Sequence, residues 1–141
     1  MKDSVGAIDY TTVMTDEAGA LEGDAAPPLV PGEPVIDLAH LSTMTLGERD
    51  LEREVLELFD RHSEMLMARM ASEPPRVVAA LAHTLSGSAR GIGAWRVAAA
   101  AITVERMATR SGAVMLTGAM DRLTAAVAEA RTAVGDILRA R

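Results

Sequence analysis

The chain has 141 residues, enough for one modest domain, and is 49% hydrophobic but only 2% aromatic, with a formal net charge of −6. It contains no cysteine, which excludes a disulfide framework and a thiolate metal site. No wholly apolar run is longer than that of Val97 to Ile102, far short of the roughly 18 residues that a membrane span needs.

In chain order, residues 1–34 combine glycines, acidic residues and the run "APPLVPGEP" with little periodicity, and are expected to form a flexible tail. The opening "MKDSVGAIDYTT" lacks the apolar core of a signal peptide, so a soluble cytoplasmic protein is expected. A short helix is predicted over Val35–Thr43. From Glu48 to Ala71, apolar residues recur at helical spacing through Leu51, Val55, Leu58 and Met65. The "SEPP" of Ser72–Pro75 breaks that helix and starts another, because proline is tolerated at a helix start but not in its interior.

The helix from Pro75 to about Gly91 places Val78, Leu81, Leu85 and Ile92 on one stripe. The next, from Ala94 to about Thr109, does the same with Val97, Ala101, Val104 and Ala108. After "RSG", a last helix repeats Leu116, Met120, Leu123, Val127, Ala130, Val134 and Ile137 in alternating steps of four and three. Nothing alternates with the period of two that a strand requires. Residues 35–141 are therefore expected to be all-α: an antiparallel four-helix bundle with a short extra N-terminal helix.

Charge is distributed unevenly. Residues 1–73 hold 5 basic and 16 acidic residues, residues 74–110 hold 5 and 1, and residues 111–141 hold 4 and 3. The basic stretch suits an acidic protein surface. Five arginines without aromatic platforms make too weak a footprint for nucleic acid.

That basic stretch contains "LAHTLSGSARGIGA", residues 81–94, with one histidine and three glycines. Each step along a helix turns 100°, so His83 lies about 160° around from both Leu81 and Leu85. If those leucines face the core, His83 faces solvent. Its neighbours at offsets of three, four and seven include Ala79, Ala80, Ser86, Gly87 and Arg90, and all but Arg90 are small. Gly87, in mid-helix, reads as clearance for a docking partner, whereas Gly91 and Gly93 read as the helix cap and turn. His62 and His40 read as structural or solvated. No two histidines have the i, i+4 spacing of a helical zinc site, so no metal is expected. The glycines follow no strand and form no dinucleotide-binding, P-loop or serine-elbow motif.

The segment "HTLSGSARGIGA" resembles the signature of histidine phosphotransfer (HPt) domains, His-x-Leu-Lys-Gly-Ser/Ala-Ala followed by a second glycine, at His83, Leu85, Gly87, Ser88, Ala89, Gly93 and Ala94. The likeness extends at helix level from about Val35 to Leu138, including "LELF" in the second helix and Glu105 late in the fourth, and one position departs: the family's usual lysine is Ser86. The resemblance implies a phosphocarrier without kinase activity of its own, in two-component signalling. His83 would accept a phosphoryl group from a sensor histidine kinase or a receiver-domain aspartate and pass it to a response regulator. The surface that meets the partner would be Ala79, Ser86, Gly87 and Arg90, with Trp95 and Arg96 at the start of the next helix. Arg90 or Arg96 would replace part of the missing lysine charge. No cofactor of the chain's own is implied, Mg²⁺ being expected in the partner receiver, and a monomer without membrane or nucleic-acid partners is expected. The alternative is an HPt-like adaptor that binds receivers without being phosphorylated, or a structural helical partner; Ser86 is the feature that favours it.

Overall fold

The computed structural model describes residues 34–110 and 112–141, so the tail expected over residues 1–34 lies, but for Pro34, outside the described residues. Five helices follow in order: α1 (Leu38–Met44), α2 (Arg49–Met70), α3 (Pro75–Ile92), α4 (Trp95–Arg110) and α5 (Ala113–Ala140). No strand occurs among the described residues. Helix α2 packs on α3, α3 on α4, α4 on α5 and α5 back on α2, which closes a four-helix ring, while α1 lies against α3. The all-α bundle with a short extra helix, expected from the apolar periodicity, is what forms.

The predicted stripes of α3, α4 and α5 make the core, but that of α2 does not: Leu51, Leu58 and Met65 are exposed and Val55 is only partly covered, because α2 turns Leu56, Phe59, Leu66 and Met70 inward instead. Leu41, Leu56, Leu85, Val97, Val104, Leu123 and Val134 are completely or almost completely buried. The long 4-3 repeat of α5 is deepest at its centre, from Leu123 to Val134; Leu116, Met120 and Ile137 are only partly covered. Helices α3 and α4 meet over small side chains, with Ala82, Ala89, Ala98 and Ala101 wholly buried. Such side chains let two helix axes approach closely. Polar pairs close the ring on its other side. Arg131 of α5 donates to Asp60 of α2 at 2.8 Å, and Arg141 donates at 2.7 Å to the buried Glu52, holding that carboxyl below its usual pKa range.

Short polar contacts fix the corner between α3 and α4. Gly93 ends α3 at φ 77, in the left-handed region, and a Cβ there would stand 2.7 Å from the Cβ of Asp37. Only glycine meets both demands. Asp37 uses that space: its N–H donates to the Gly93 carbonyl at 3.0 Å, its Oδ1 caps α1 by accepting from His40 N–H, and its Oδ2 accepts from Trp95 Nε1 at 3.0 Å. The cap explains why α1 begins at Leu38 and not at the predicted Val35, since the Ncap residue itself is non-helical. His40 lies over Trp95 with ring centroids 4.8 Å apart, and its Nε2–H donates to the Arg90 carbonyl at 2.8 Å. His40 and Trp95 thus hold the corner together.

The Trp95 indole and the His40 amide lower the pKa of Asp37, in that order of effect. A carboxyl with a depressed folded-state pKa contributes stability above its unfolded-state pKa of about 3.9 and loses it as pH falls through the lower folded-state value. Asp37→Ala is therefore expected to destabilise the protein near neutral pH. The gap from wild type should narrow as the pH is lowered from about 5 towards 2.5, as measured by urea midpoints across that range.

Candidate functional site

His83 projects from the outer side of α3, and its side chain is 66% exposed. The leucines on either side of it, Leu81 and Leu85, are buried as the helical geometry requires. Across the α3–α4 seam stands Glu105, whose Oε1 and Oε2 lie 3.3 and 3.2 Å from His83 Nδ1. A carboxylate only accepts hydrogen bonds, so the proton sits on Nδ1 and the lone pair of the neutral ring is on Nε2. Nε2 points away from Glu105 and has no protein partner among the described residues. The site therefore offers an oriented imidazole with one open nucleophilic nitrogen.

Glu105 entered the sequence reading only as part of the family likeness, and its pairing with His83 was not foreseen. A signal existed: it is the single acidic residue in the otherwise basic stretch 74–110. Spacing within α3 could not reveal it, because it lies 22 residues away and arrives through the packing of α4.

The predicted contact residues separate into two groups. Gly87 and Arg90 share the outer face with His83; Gly87 is half-exposed, and the Arg90 guanidinium has no partner among the described residues. Ala79 and Ser86 do not share it. Both are turned towards α4 and buried, at 8% and 6% exposure, and Ser86 Oγ donates to the His83 carbonyl at 2.8 Å. Their offsets of minus four and plus three rotate them 40–60° from His83 to the same side, and that is the side α4 covers. The Ser86 hydroxyl is spent inside its own helix.

Trp95 is committed to Asp37, and Arg96 donates from NH1 to both oxygens of Glu129 on α5 at 3.2 and 3.1 Å. Arg96 thus serves the α4–α5 seam, and of the two arginines expected to supply charge near His83, Arg90 alone has a free guanidinium. Among the described residues, no cluster of three or more His, Asp or Glu side chains could hold a metal ion.

The glycines divide differently from expectation. Gly93 is the cap, but Gly91 lies inside α3, which runs to Ile92. A Cβ built on either Gly87 or Gly91 would meet nothing within 4 Å. Neither glycine is required by backbone or by packing, although each costs a helix about 1 kcal/mol relative to alanine. Spaced four apart, they keep one strip of α3 bare. Beside that strip a groove of about 270 Å³ runs between α1, α2 and α3, lined by Met44, Leu51, Val55, Leu58, His62 and Gly91 among others. Leu51, Leu58 and Met65 recur every seven residues along α2 and are each 39–54% exposed. His62, expected to be structural or solvated, is half-buried in this groove.

Gly87→Ala and Gly91→Ala should each leave the fold intact and raise its stability by about 0.5–1 kcal/mol in urea unfolding, because an exposed helix gains propensity and meets no clash. Gly93→Ala should lower stability, through both its positive φ and the contact with Asp37.

No curated protein matches the chain, and no solved structure matches it. The family model described as the Hpt domain matches residues 49–133, more than half of the chain, from the start of α2 to deep within α5. That span contains His83, Glu105, Gly87 and the whole α3–α4 seam. Hpt domains are phosphocarriers of two-component phosphorelays that meet receiver domains and kinases. With four helices in a closed ring and the signature histidine exposed on the third helix, this chain belongs to the Hpt domain family.

Proposed function

We propose that His83 carries a phosphoryl group between a receiver-domain aspartate, or a sensor histidine kinase, and a response regulator. The observation that carries this reading is the pairing of an exposed imidazole with Glu105, which leaves Nε2 open beside the bare strip at Gly87. The Nε2 lone pair attacks phosphorus in line, a nitrogen–phosphorus bond forms, and the bond from phosphorus to the donor oxygen breaks. With an aspartyl phosphate as donor, the free carboxylate leaves. The ring becomes an imidazolium with its proton still on Nδ1, and Glu105 balances that charge across 3.2 Å. A second receiver aspartate reverses the step and returns neutral His83. Phosphoryl transfer relies mainly on positioning and electrostatics. The receiver supplies its own aspartate and Mg²⁺, so the carrier presents only a reachable, oriented nucleophile.

The receiver also needs a surface to rest on. The bare strip of Gly87 and Gly91 leads from His83 into the apolar groove, and the exposed Leu51, Leu58 and Met65 extend it along α2. This surface suits an apolar helix of a receiver, while Arg90 suits its acidic rim.

One observation favours the adaptor reading. With Ser86 buried and hydrogen-bonded to the His83 carbonyl, neither a lysine nor a free hydroxyl stands one turn from the imidazole. Transfer assays decide between the two. Incubation with a phosphorylated receiver should give an acid-labile label on wild type and none on His83→Gln, with melting almost unchanged because the residue is exposed. Glu105→Gln should keep the fold and slow labelling about tenfold or more, a cost of the order seen when the outer partner of a metal-bound histidine is removed. No label on wild type would leave only the adaptor reading, and equal labelling of wild type and His83→Gln would remove His83 as the acceptor.

Docking is tested separately. Leu58→Asp puts a charge at an exposed position. It should weaken receiver binding at least about tenfold in a titration, through a charge stranded in an apolar contact, and leave the unfolding midpoint within about 0.5 kcal/mol of wild type.

A further inference from the structure

Helices α3 and α4 carry five arginines and, in Glu105, one acid. Arg96 is paired with Glu129, but Arg76, Arg90, Arg106 and Arg110 have no side-chain partner among the described residues; on α2 and α5 or directly after α5, Arg53, Arg69, Arg131, Arg139 and Arg141 are paired, and Arg49, Arg61 and Arg122 are not. Arg76 and Arg90 lie seven residues either side of His83, each two turns away on its own face, roughly 10 Å along the axis. Arg106 follows Glu105 directly. Unpaired cations therefore flank the nucleophile along its own helix, and two more lie on α4 near the residue that meets it.

The complementary charge is in the same chain. Residues 1–33 contain Asp3, Asp9, Asp16, Glu17, Glu22, Asp24 and Glu33 against one lysine, Lys2. Residues 34–141 contain 13 acidic and 13 basic residues, so the whole net charge of −6 belongs to the first 33 positions. This segment joins the bundle at Pro34, three residues before Asp37, which is hydrogen-bonded to the end of α3 at Gly93. From Gly93 back to His83 is ten helical residues, about 15 Å. An extended chain covers that distance in about five residues, so 33 are ample.

We infer that the acidic segment 1–33 is an intramolecular competitor for the arginine face around His83, and that a phosphorylated receiver must displace it to reach the imidazole. Tethering gives the segment an effective concentration of about millimolar order, against which a free partner must compete. The attraction is between exposed charges, so it is strong where the Debye length is about 30 Å, near 0.01 M salt, and largely gone where it is about 3 Å, near 1 M. The segment would set a threshold for docking that depends on ionic strength and is lowered by any partner more acidic than itself. The competition rests on the proposed receiver docking; the contact within the chain does not.

The test uses the full chain with the four aspartates changed to Asn and the three glutamates to Gln (Asp3→Asn, Asp9→Asn, Asp16→Asn, Asp24→Asn, Glu17→Gln, Glu22→Gln, Glu33→Gln). Backbone amide shifts of wild type and variant, recorded without any partner, should differ along residues 76–90 and 105–110 near 0.01 M salt, and coincide near 1 M. Spectra that coincide on that face at low salt would overturn the inference, as would differences that persist at high salt. Labelling by a phosphorylated receiver below saturation should run several-fold faster in the variant at low salt, with the gap closing at high salt; equal or slower labelling would overturn the competition. If neither chain is labelled at any salt, the carrier reading falls, and the amide shifts still decide whether the segment contacts this face.

Discussion

The close approach of α3 and α4 over their alanine and serine faces is the constraint on which the site depends. Ala82 and Ala89 on one helix, with Ala98 and Ala101 on the other, leave no bulk between the two backbones. The seam needs a tight corner, which Gly93 supplies through a left-handed φ and a missing Cβ. It also brings Glu105 within hydrogen-bonding distance of His83. A wider separation of the helices would leave the imidazole free to rotate and its proton free to occupy either nitrogen. Orientation of the nucleophile is thus a consequence of helix packing.

The same seam explains why Ser86 is a serine in a compatible sense. The position faces α4 and is buried, and a short hydroxyl that bonds back to the His83 carbonyl fits there with its polarity satisfied. A lysine at this position would have to carry its stem out along the seam to reach solvent. The positive charge close to the histidine comes instead from arginines one or two turns further off. Charge at that range acts as a field and makes no bidentate contact, so it favours encounter with acidic partners more than it fixes phosphoryl oxygens.

The polar and the apolar features of the surface lie on different sides of α3. The imidazole, Glu105 and the arginines occupy the α3–α4 side, while the exposed leucines, the groove and His62 occupy the α2–α3 side. Gly87 and Gly91 form the strip between them. Their cost in helix propensity has no return inside the molecule, since a Cβ at either would touch nothing. On the proposed function, the return is clearance for a docking receiver. On that reading, a shallow apolar surface beside unpaired arginines would give the carrier an interface weak enough to release one partner before meeting the next.

Much of this was legible in the chain. The stripes through Val78, Leu81 and Leu85, and through Leu123 to Val134, marked the helices and their core faces, because helical periodicity is local. In α2 the predicted Leu51, Leu58 and Met65 are exposed, since a second apolar face there is the one that packs inward. The exposure of His83 followed from the same arithmetic, and the signature around it pointed to the family that the match over residues 49–133 confirms. Helix bounds came within a residue or so for α2, α3 and α4, since proline and glycine act on their own neighbours. Spacing along one helix, however, gives directions relative to that helix only. It could not say that α4 would cover the side carrying Ala79 and Ser86, that Arg96 would find Glu129 on α5, or that Trp95 would be claimed by Asp37. Nor could it pair His83 with Glu105. Sequence alone determined which residues form the helices and which of their faces are apolar; tertiary structure decided which polar side chains meet, because that depends on how separate helices are rotated against one another in the bundle.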